Sequence, residues 1–227
     1  MAYRERRSFV PGAVVWRQDS SGPGEVLPDG CMDLLWMDEM IMVAGPDTSA
    51  YPVHGDGRPY VGIRFRSGIL PGLIGVPAVE LRDRRVPLAE LVGSRSADRV
   101  RDRFARSDRP GRVLEEYAAG LVADHDQDRR TPELLAMITS GLPVTEIGRR
   151  IGLGERQLHR HGLHFFGYGP AMLRRILRLQ RAFGLAATGL PAALVAARAG
   201  YSDQAHLIRD CRALTGRSFG ERVTGTG

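Results

Sequence analysis

A repeat near the end of this 227-residue chain constrains its fold more than any other feature. Ile147, Gly148, Ile151 and Gly152 return 48 positions later as Val195, Ala196, Ala199 and Gly200. After the turn the spacing becomes 49, so that Leu158 and Arg160 return as Leu207 and Arg209. The second unit therefore has one extra turn residue. Each unit reads as a short helix, a tight glycine-containing turn and a second helix with a small or apolar residue at the crossing, which is the grammar of a helix-turn-helix.

The surrounding residues form a train of helices punctuated by proline and glycine. Glu133–Thr139 stops at Gly141, Val144–Ile151 follows Pro143, and Glu155–Phe166 follows Gly152-Leu153-Gly154. A long basic helix, Ala171–Ala187, begins after Pro170; Ala192–Ala199 precedes Gly200-Tyr201-Ser202, and Asp203–Thr215 runs to Gly216. Gly200 suits the position just past a helix, and Ser202 suits an N-cap. Charge follows the same boundary. Residues 1–127 hold 17 Arg and 19 acidic residues, whereas residues 128–227 hold 15 Arg and 7, together the chain's 32 and 26. A net of −2 thus precedes a net of +8, and a basic half beside a weakly acidic one points to a polyanion partner, since each phosphate neutralised releases condensed counterions. Every basic residue is Arg, which suits bidentate contacts to phosphate and guanine.

The segment VTEIGRRIGLGERQLHRHGLHFFGYGP, then LRLQRA, then AALVAARAGYSDQAHLIRDCRALTG resembles the DNA-binding domain of AraC/XylS transcription regulators over residues ~133–222. Leu177–Ala182 and the Gly200–Gln204 turn are its most specific markers. Less closely, LPDGCMDLLW at 27–36, VAGPDTSA at 43–50 and GIRFRSG at 62–68 resemble a small domain attached to some members of that family. The resemblance implies control of transcription by two recognition helices, 155–166 and 203–215, in successive major grooves. It also implies DNA-facing roles for Arg156, His159 and Arg160 on the first and for Gln204, Ala205, His206 and Arg209 on the second. Gln204 suits adenine and Arg209 guanine or phosphate; His206 suits capping or packing equally well. Arg174, Arg175, Arg178 and Arg181 crowd the connecting helix, where the mutual repulsion of Arg174 with Arg178 and of Arg178 with Arg181 makes sense beside a phosphate strand. The chain departs from the family pattern at Gly162 and Cys211, where a large apolar residue is usual, with Phe165 and Phe166 available to refill the first gap. Phe219 stands in place of a proline, and Gly184 weakens the connecting helix by roughly 1 kcal/mol relative to Ala.

The expected fold class is α+β. Residues 1–92 carry short strand-like runs, Ala13–Arg17, Met32–Met37, Met40–Ala44 and Tyr60–Phe65, bounded by turn signals such as Gly22-Pro23-Gly24 and Gly55-Asp56-Gly57. They read as an antiparallel β-rich sensing or assembly domain, a small barrel or cupin-like unit. Residues 93–131 read as a helical connector, with Val100, Phe104, Val113, Leu114 and Tyr117 at helical spacing and a helix start at Pro110; His125–Arg130 suits a linker. Residues 132–227 form the all-α DNA-binding part.

Asp33, inside the apolar run CMDLLW, requires a partner, and Arg64 or Arg66 is available; a structural ion pair and a ligand contact are equal readings. Asp33, Trp36 and Arg64 are accordingly the candidate ligand-binding residues. No enzyme motif is present: there is no G-x-S-x-G, no Walker loop and no metal-spaced His/Cys set, so neither cofactor nor metal is expected. His54 is the only histidine before residue 125, against a multi-histidine metal site. Cys31 as a nucleophile is the weakest alternative, that of a DNA-directed enzyme. A constitutive DNA-binding protein with a scaffold N-terminal domain is another. No run of 18 apolar residues and no signal peptide appear, so a cytoplasmic protein without membrane association is expected. Double-stranded DNA is the expected partner, with RNA polymerase, a small-molecule effector and a second copy of the chain as further candidates.

Overall fold

A computed structural model describes residues 2–37, 39–123 and 130–224. Six strands, β1 (Ala2–Arg7), β2 (Ala13–Val26), β3 (Met32–Met37), β4 (Met40–Ala44), β5 (Tyr51–Phe65) and β6 (Arg85–Pro87), form one sheet in the order β1-β2-β5-β3-β4-β6. Every pairing is antiparallel, as the sequence predicts, and β1 and β6 form the edges of the ladder among the described residues. The strands β2 and β5 are longer than their apolar runs. Gly22-Pro23-Gly24 and Gly55-Asp56-Gly57, expected as turns, lie inside the ribbon, with Gly22 opposite Gly55 and Pro23 opposite His54. A register shift between Asp19 and Ser21 absorbs the irregularity, and Gly22 and Gly57 take the positive φ that such ribbons tolerate in glycine.

Strand alternation gives the sheet two distinct faces. One carries Val15, Leu34, Ile41, Val43, Val61, Ile63 and Phe65, packed under α1 (Leu70–Ile74), α2 (Leu88–Val92), α3 (Ser94–Ala105) and α4 (Pro110–Ala123). Residues 93–123, expected as a connector, therefore lie on the sheet and share its core through Ala97, Val100, Phe104, Val113, Leu114 and Ala118. Their helical spacing reveals helices but not the surface those helices cover. Arg6 and Glu115 close this layer at 2.6 Å, with Glu115 fully buried. The opposite face carries a smaller cluster, Trp16, Leu35, Met42 and Ala44. Of the expected linker, residues 125–129 lie outside the described residues, and Arg130 already begins α5.

The C-terminal core gathers α5 (Arg130–Thr139), α6 (Val144–Ile151), α7 (Glu155–Phe166), α8 (Pro170–Ala186), α9 (Ala192–Ala199), α10 (Gln204–Thr215) and α11 (Phe219–Thr224) around Ile138, Ile147, Leu158, Leu173, Ile176, Val195 and Leu207. Helix α11 has no counterpart in the sequence reading; Phe219 anchors it by stacking on Phe183 at 5.5 Å. Among the described residues no helix is long and apolar enough to cross a membrane.

Candidate DNA-binding surface and sensing pocket

The repeat is realised as two units, each an eight-residue helix, a turn and a twelve-residue helix. Ile147 and Val195 are fully buried, as are Leu158 and Leu207, and Gly152 and Gly200 both end their helices in the left-handed conformation. The extra residue sits where the sequence places it. Three residues, 152–154, join α6 to α7, and four, 200–203, join α9 to α10. The shorter turn explains Gly148: a Cβ there would lie 2.7 Å from the Leu153 carbonyl oxygen, whereas the second unit accommodates Ala196.

The two recognition helices are capped differently. Asp203, not Ser202, caps α10, its carboxylate accepting from the His206 backbone N–H at 2.6 Å. At α7 the cap residue is Gly154, and the Gln157 side chain reaches back to its N–H at 3.0 Å. Gly162 is explained by the next turn. A Cβ there would lie 2.8 Å from the Tyr168 carbonyl oxygen, so the turn backbone fills the space in place of a large side chain. Phe166 is buried elsewhere, beside Gly68 of the sheet domain, and Phe165 is half-buried against His161 and His164.

Arg156, His159 and Arg160 lie exposed on α7, and Gln204, Ala205 and Arg209 lie exposed on α10. Arg174 is half-buried on α8. Arg178 and His206 are differently placed. Asp210, only 5 % exposed, accepts from Arg175 Nε at 2.8 Å, from Arg178 Nη2 at 3.0 Å and from the Tyr201 hydroxyl at 3.2 Å. Arg178 also lies 4.1 Å over the Tyr201 ring. Burial raises the Asp210 pKa, but the Arg175 and Arg178 guanidiniums outweigh it and hold the carboxyl below its ordinary range. His206 sits among Ser202 Oγ at 3.1 Å, Arg178 Nη2 at 3.4 Å and the edge of Tyr201. This polar cluster fastens α10 to α8. Sequence reading places Arg175 among the basic residues of the connecting helix but misses Asp210 as its partner, because the pairing joins residues 32 and 35 positions apart through a helix crossing.

On the exposed face of the sheet, Trp16, Asp33, Leu35, Tyr60, Arg64 and Arg85 line a cavity of about 270 Å3, together with the exposed Tyr3 and His54. Asp33 and Arg64 are cross-strand partners, Arg64 Nε donating to Asp33 at 3.2 Å, and Trp16 Nε1 donates to the same carboxylate at 2.6 Å. The indole fits because its register partner is Gly62, where a Cβ would fall 2.5 Å from the ring. Burial pushes the Asp33 carboxyl up, against the pull of Arg64 and the Trp16 hydrogen bond. Trp36 does not line this cavity. Strand alternation turns it to the helical face, where it stacks on Phe104 at 4.4 Å. Burial also raises the Cys31 thiol far above its ordinary pKa, the opposite of what a nucleophile requires.

The three motif segments of the N-terminal domain meet at the contact between the two cores. Pro28 O accepts from Gln180 of α8 at 2.6 Å, Ala50 N–H donates to Leu214 O of α10 at 3.1 Å, and a Cβ on Gly68 would strike Thr131 and Phe166. Arg82 donates to Gly167 O at 3.2 Å, and Arg222 of α11 pairs with Glu25. Two of these segments supply Asp33 and Arg64, so the cavity and the docking surface draw on the same parts of the chain.

Residues 147–222 match the model of a helix-turn-helix domain. That match lies within the C-terminal core. Residues 12–87 match a domain of unknown function, DUF6597. No curated protein matches the chain in sequence. Two crystal structures of ToxT from Vibrio cholerae are similar in fold, each with a TM-score of 0.50. One is 12 % identical, with all of both chains covered; the other, of an apo variant, is 11 % identical, with 96 % of this chain and 99 % of that one covered. A helix-turn-helix domain in the basic half of the chain supports a DNA-binding regulator of transcription.

Proposed function

We propose that α7 and α10 enter successive major grooves on one face of duplex DNA, and that the sheet domain modulates this through a small ligand. The observation that carries the reading is the pair of repeated units with exposed polar faces, held by one continuous helix. Helix α8 has 17 residues, or ~25 Å at ~1.5 Å per residue. That spacer suits the ~34 Å separation of successive grooves when the recognition helices extend beyond its ends. Arg156, His159 and Arg160 would read one sub-site and Gln204, Ala205 and Arg209 the other, while Arg174 meets phosphate. Arg178 and His206 are assigned to positioning, because both side chains are engaged with the cluster around Asp210 and Tyr201.

The division of labour follows the two cores, residues 2–123 sensing and 130–224 binding. The cavity favours a sensor over a mere scaffold, since it combines an apolar wall with a few convergent polar groups. RNA polymerase and a second copy of the chain are partners compatible with this reading. Binding-site selection on Arg156→Ala and Arg209→Ala tests the two-groove arrangement. Each substitution is expected to relax preference only in its own sub-site, at roughly 1–3 kcal/mol per bidentate contact. Loss of preference at the same base pairs in both variants, or no change of affinity in either, refutes it.

A further inference from the structure

Residues 46–50, the second half of the motif VAGPDTSA, belong neither to the sheet core nor to the cavity lining, yet they touch both recognition helices. Pro46 packs on the C-terminal end of α7. A Cβ at Gly167, the left-handed cap of that helix, would fall 2.5 Å from Pro46 Cγ and 3.3 Å from Ala78 O. Arg82 donates to Gly167 O at the same point. Four residues beyond Pro46, Ala50 N–H donates to Leu214 O in the last turn of α10 at 3.1 Å. Arg222 holds that end a second time, donating to Thr215 O and pairing with Glu25 of β2. Leu214 O and Thr215 O are among the final carbonyls that a helix leaves without partners of its own.

The stretch between these two seats is short and stiff. Four residues span at most ~14 Å when fully extended. Asp47, 7 % exposed, takes two hydrogen bonds from Arg85, at 2.8 and 2.7 Å. Asp83 accepts from the Thr48 N–H at 2.6 Å and from the Thr48 hydroxyl at 2.9 Å, and its own N–H donates to Pro46 O at 3.2 Å. A Cβ at Gly45 would overlap Leu81 O, so the segment lies directly against residues 81–85. Those residues fix 45–48 through side-chain and backbone bonds alike.

We propose that residues 46–50, stiffened by Asp83 and Arg85, are a spacer that sets the separation and angle of α7 and α10, and through them the number of base pairs between the two sub-sites. The exposed Arg156, His159 and Arg160 lie in the first half of α7, and Gln204, Ala205 and Arg209 in the first half of α10. Each recognition helix is therefore held at the end far from its groove contacts, and a change of angle there swings the reading end. Helix α8 sets how far apart the units lie along its axis, and this second attachment fixes their rotation about it. The match has to be close, because one base-pair step is ~3.4 Å of rise and ~35° of rotation. The proposal rests on the two-groove reading and adds what fixes its spacing.

The test is binding-site selection with the full chain on duplexes whose two sub-sites are separated by lengths differing by single base pairs. The native chain is compared with Asp83→Gly and Arg82→Ala. Glycine suits the positive φ of 58° at position 83 and removes the side-chain bonds to Thr48, while Arg82 is exposed and gives up its bond to Gly167 O. The native chain is expected to prefer one spacing over its neighbours by about tenfold, the scale of one mismatched base pair, and each variant by less than about threefold, with base preference inside each sub-site unchanged. A mere loss of stability would lower binding at every spacing alike and leave the profile as it is. Thermal unfolding identifies a variant that does not fold; if Asp83→Gly is one, Arg82→Ala decides. The proposal is overturned if the folded variants keep the native spacing profile, or if the native chain has no preferred spacing. Failure of the two-groove reading is seen separately, since Arg156→Ala and Arg209→Ala then alter the same base pairs and both readings fall. Failure of the spacer alone leaves two distinct sub-sites with an unaltered profile.

Discussion

Gly148→Ala is expected to destabilise the chain although alanine is the better helix former. The new methyl would lie 2.7 Å from the Leu153 carbonyl oxygen, and that oxygen belongs to backbone. The turn cannot swing away freely, because the Leu153 N–H donates to Gly148 O at 3.0 Å and Leu158 is fully buried behind it. Overpacking of this kind costs about 1–3 kcal/mol, and the propensity gain of Ala over Gly in a helix interior returns at most ~1 kcal/mol. With the full propensity gain the net loss is about 0–2 kcal/mol, and its midpoint of ~1 kcal/mol lowers the thermal midpoint of a chain of this length by roughly 2–4 °C. Because the strain falls on the α6–α7 crossing, DNA contacts of Arg156 should weaken before those of Arg209. One inserted residue in the turn 152–154, which gives the first unit the four-residue connection of the second, should relieve part of the loss in Gly148→Ala. Calorimetry and binding-site selection on the single variant and on the combined one measure both effects. A neutral or raised midpoint in Gly148→Ala would refute the argument that turn length dictates glycine at this crossing.

Asp210→Ala removes the acceptor shared by Arg175, Arg178 and Tyr201, and urea unfolding should show a loss of roughly 3 kcal/mol, the cost of leaving buried partners unpaired. The native pKa of Asp210 is depressed, so its contribution is fully present above the ordinary carboxylate range and is lost as pH falls through the lowered value; the stability of Asp210→Asn should therefore fall less steeply with acid than that of the native chain. Trp36→Ala should cost about 3 kcal/mol through lost packing on Phe104 while leaving ligand affinity in the cavity unchanged, which thermal unfolding and calorimetric titration together check. Gln180→Ala, which frees Pro28 O on the loop between β2 and β3, should speed limited proteolysis between the two cores without altering DNA affinity at saturating protein; an unchanged cleavage rate would show that the bond does not hold the domains together.

The sequence by itself determined the elements whose signals are local. Periodicity and breakers placed α6, α7 and α9 at their observed bounds, and the repeat fixed which residues are buried at each crossing and which turn holds the extra residue. The charge boundary and the exposed arginines of the recognition helices were legible for the same reason, since solvent-facing positions follow from helical phase alone. Tertiary structure decided what depends on partners distant in the chain. Asp33 shows its need for a cation in sequence, but only the register of β3 against β5 selects Arg64 over Arg66. Strand alternation sets Trp36 on the face opposite Leu35 and Met37, and only the docking of α3 makes that face the helical one. Arg178 carries the same charge as Arg209, yet only the crossing of α8 and α10 brings it to 3.0 Å from the buried Asp210. Glycine and proline inside β2 and β5 read locally as turns, and a long ladder with a bulge overrides that preference because paired backbone groups outweigh the local cost.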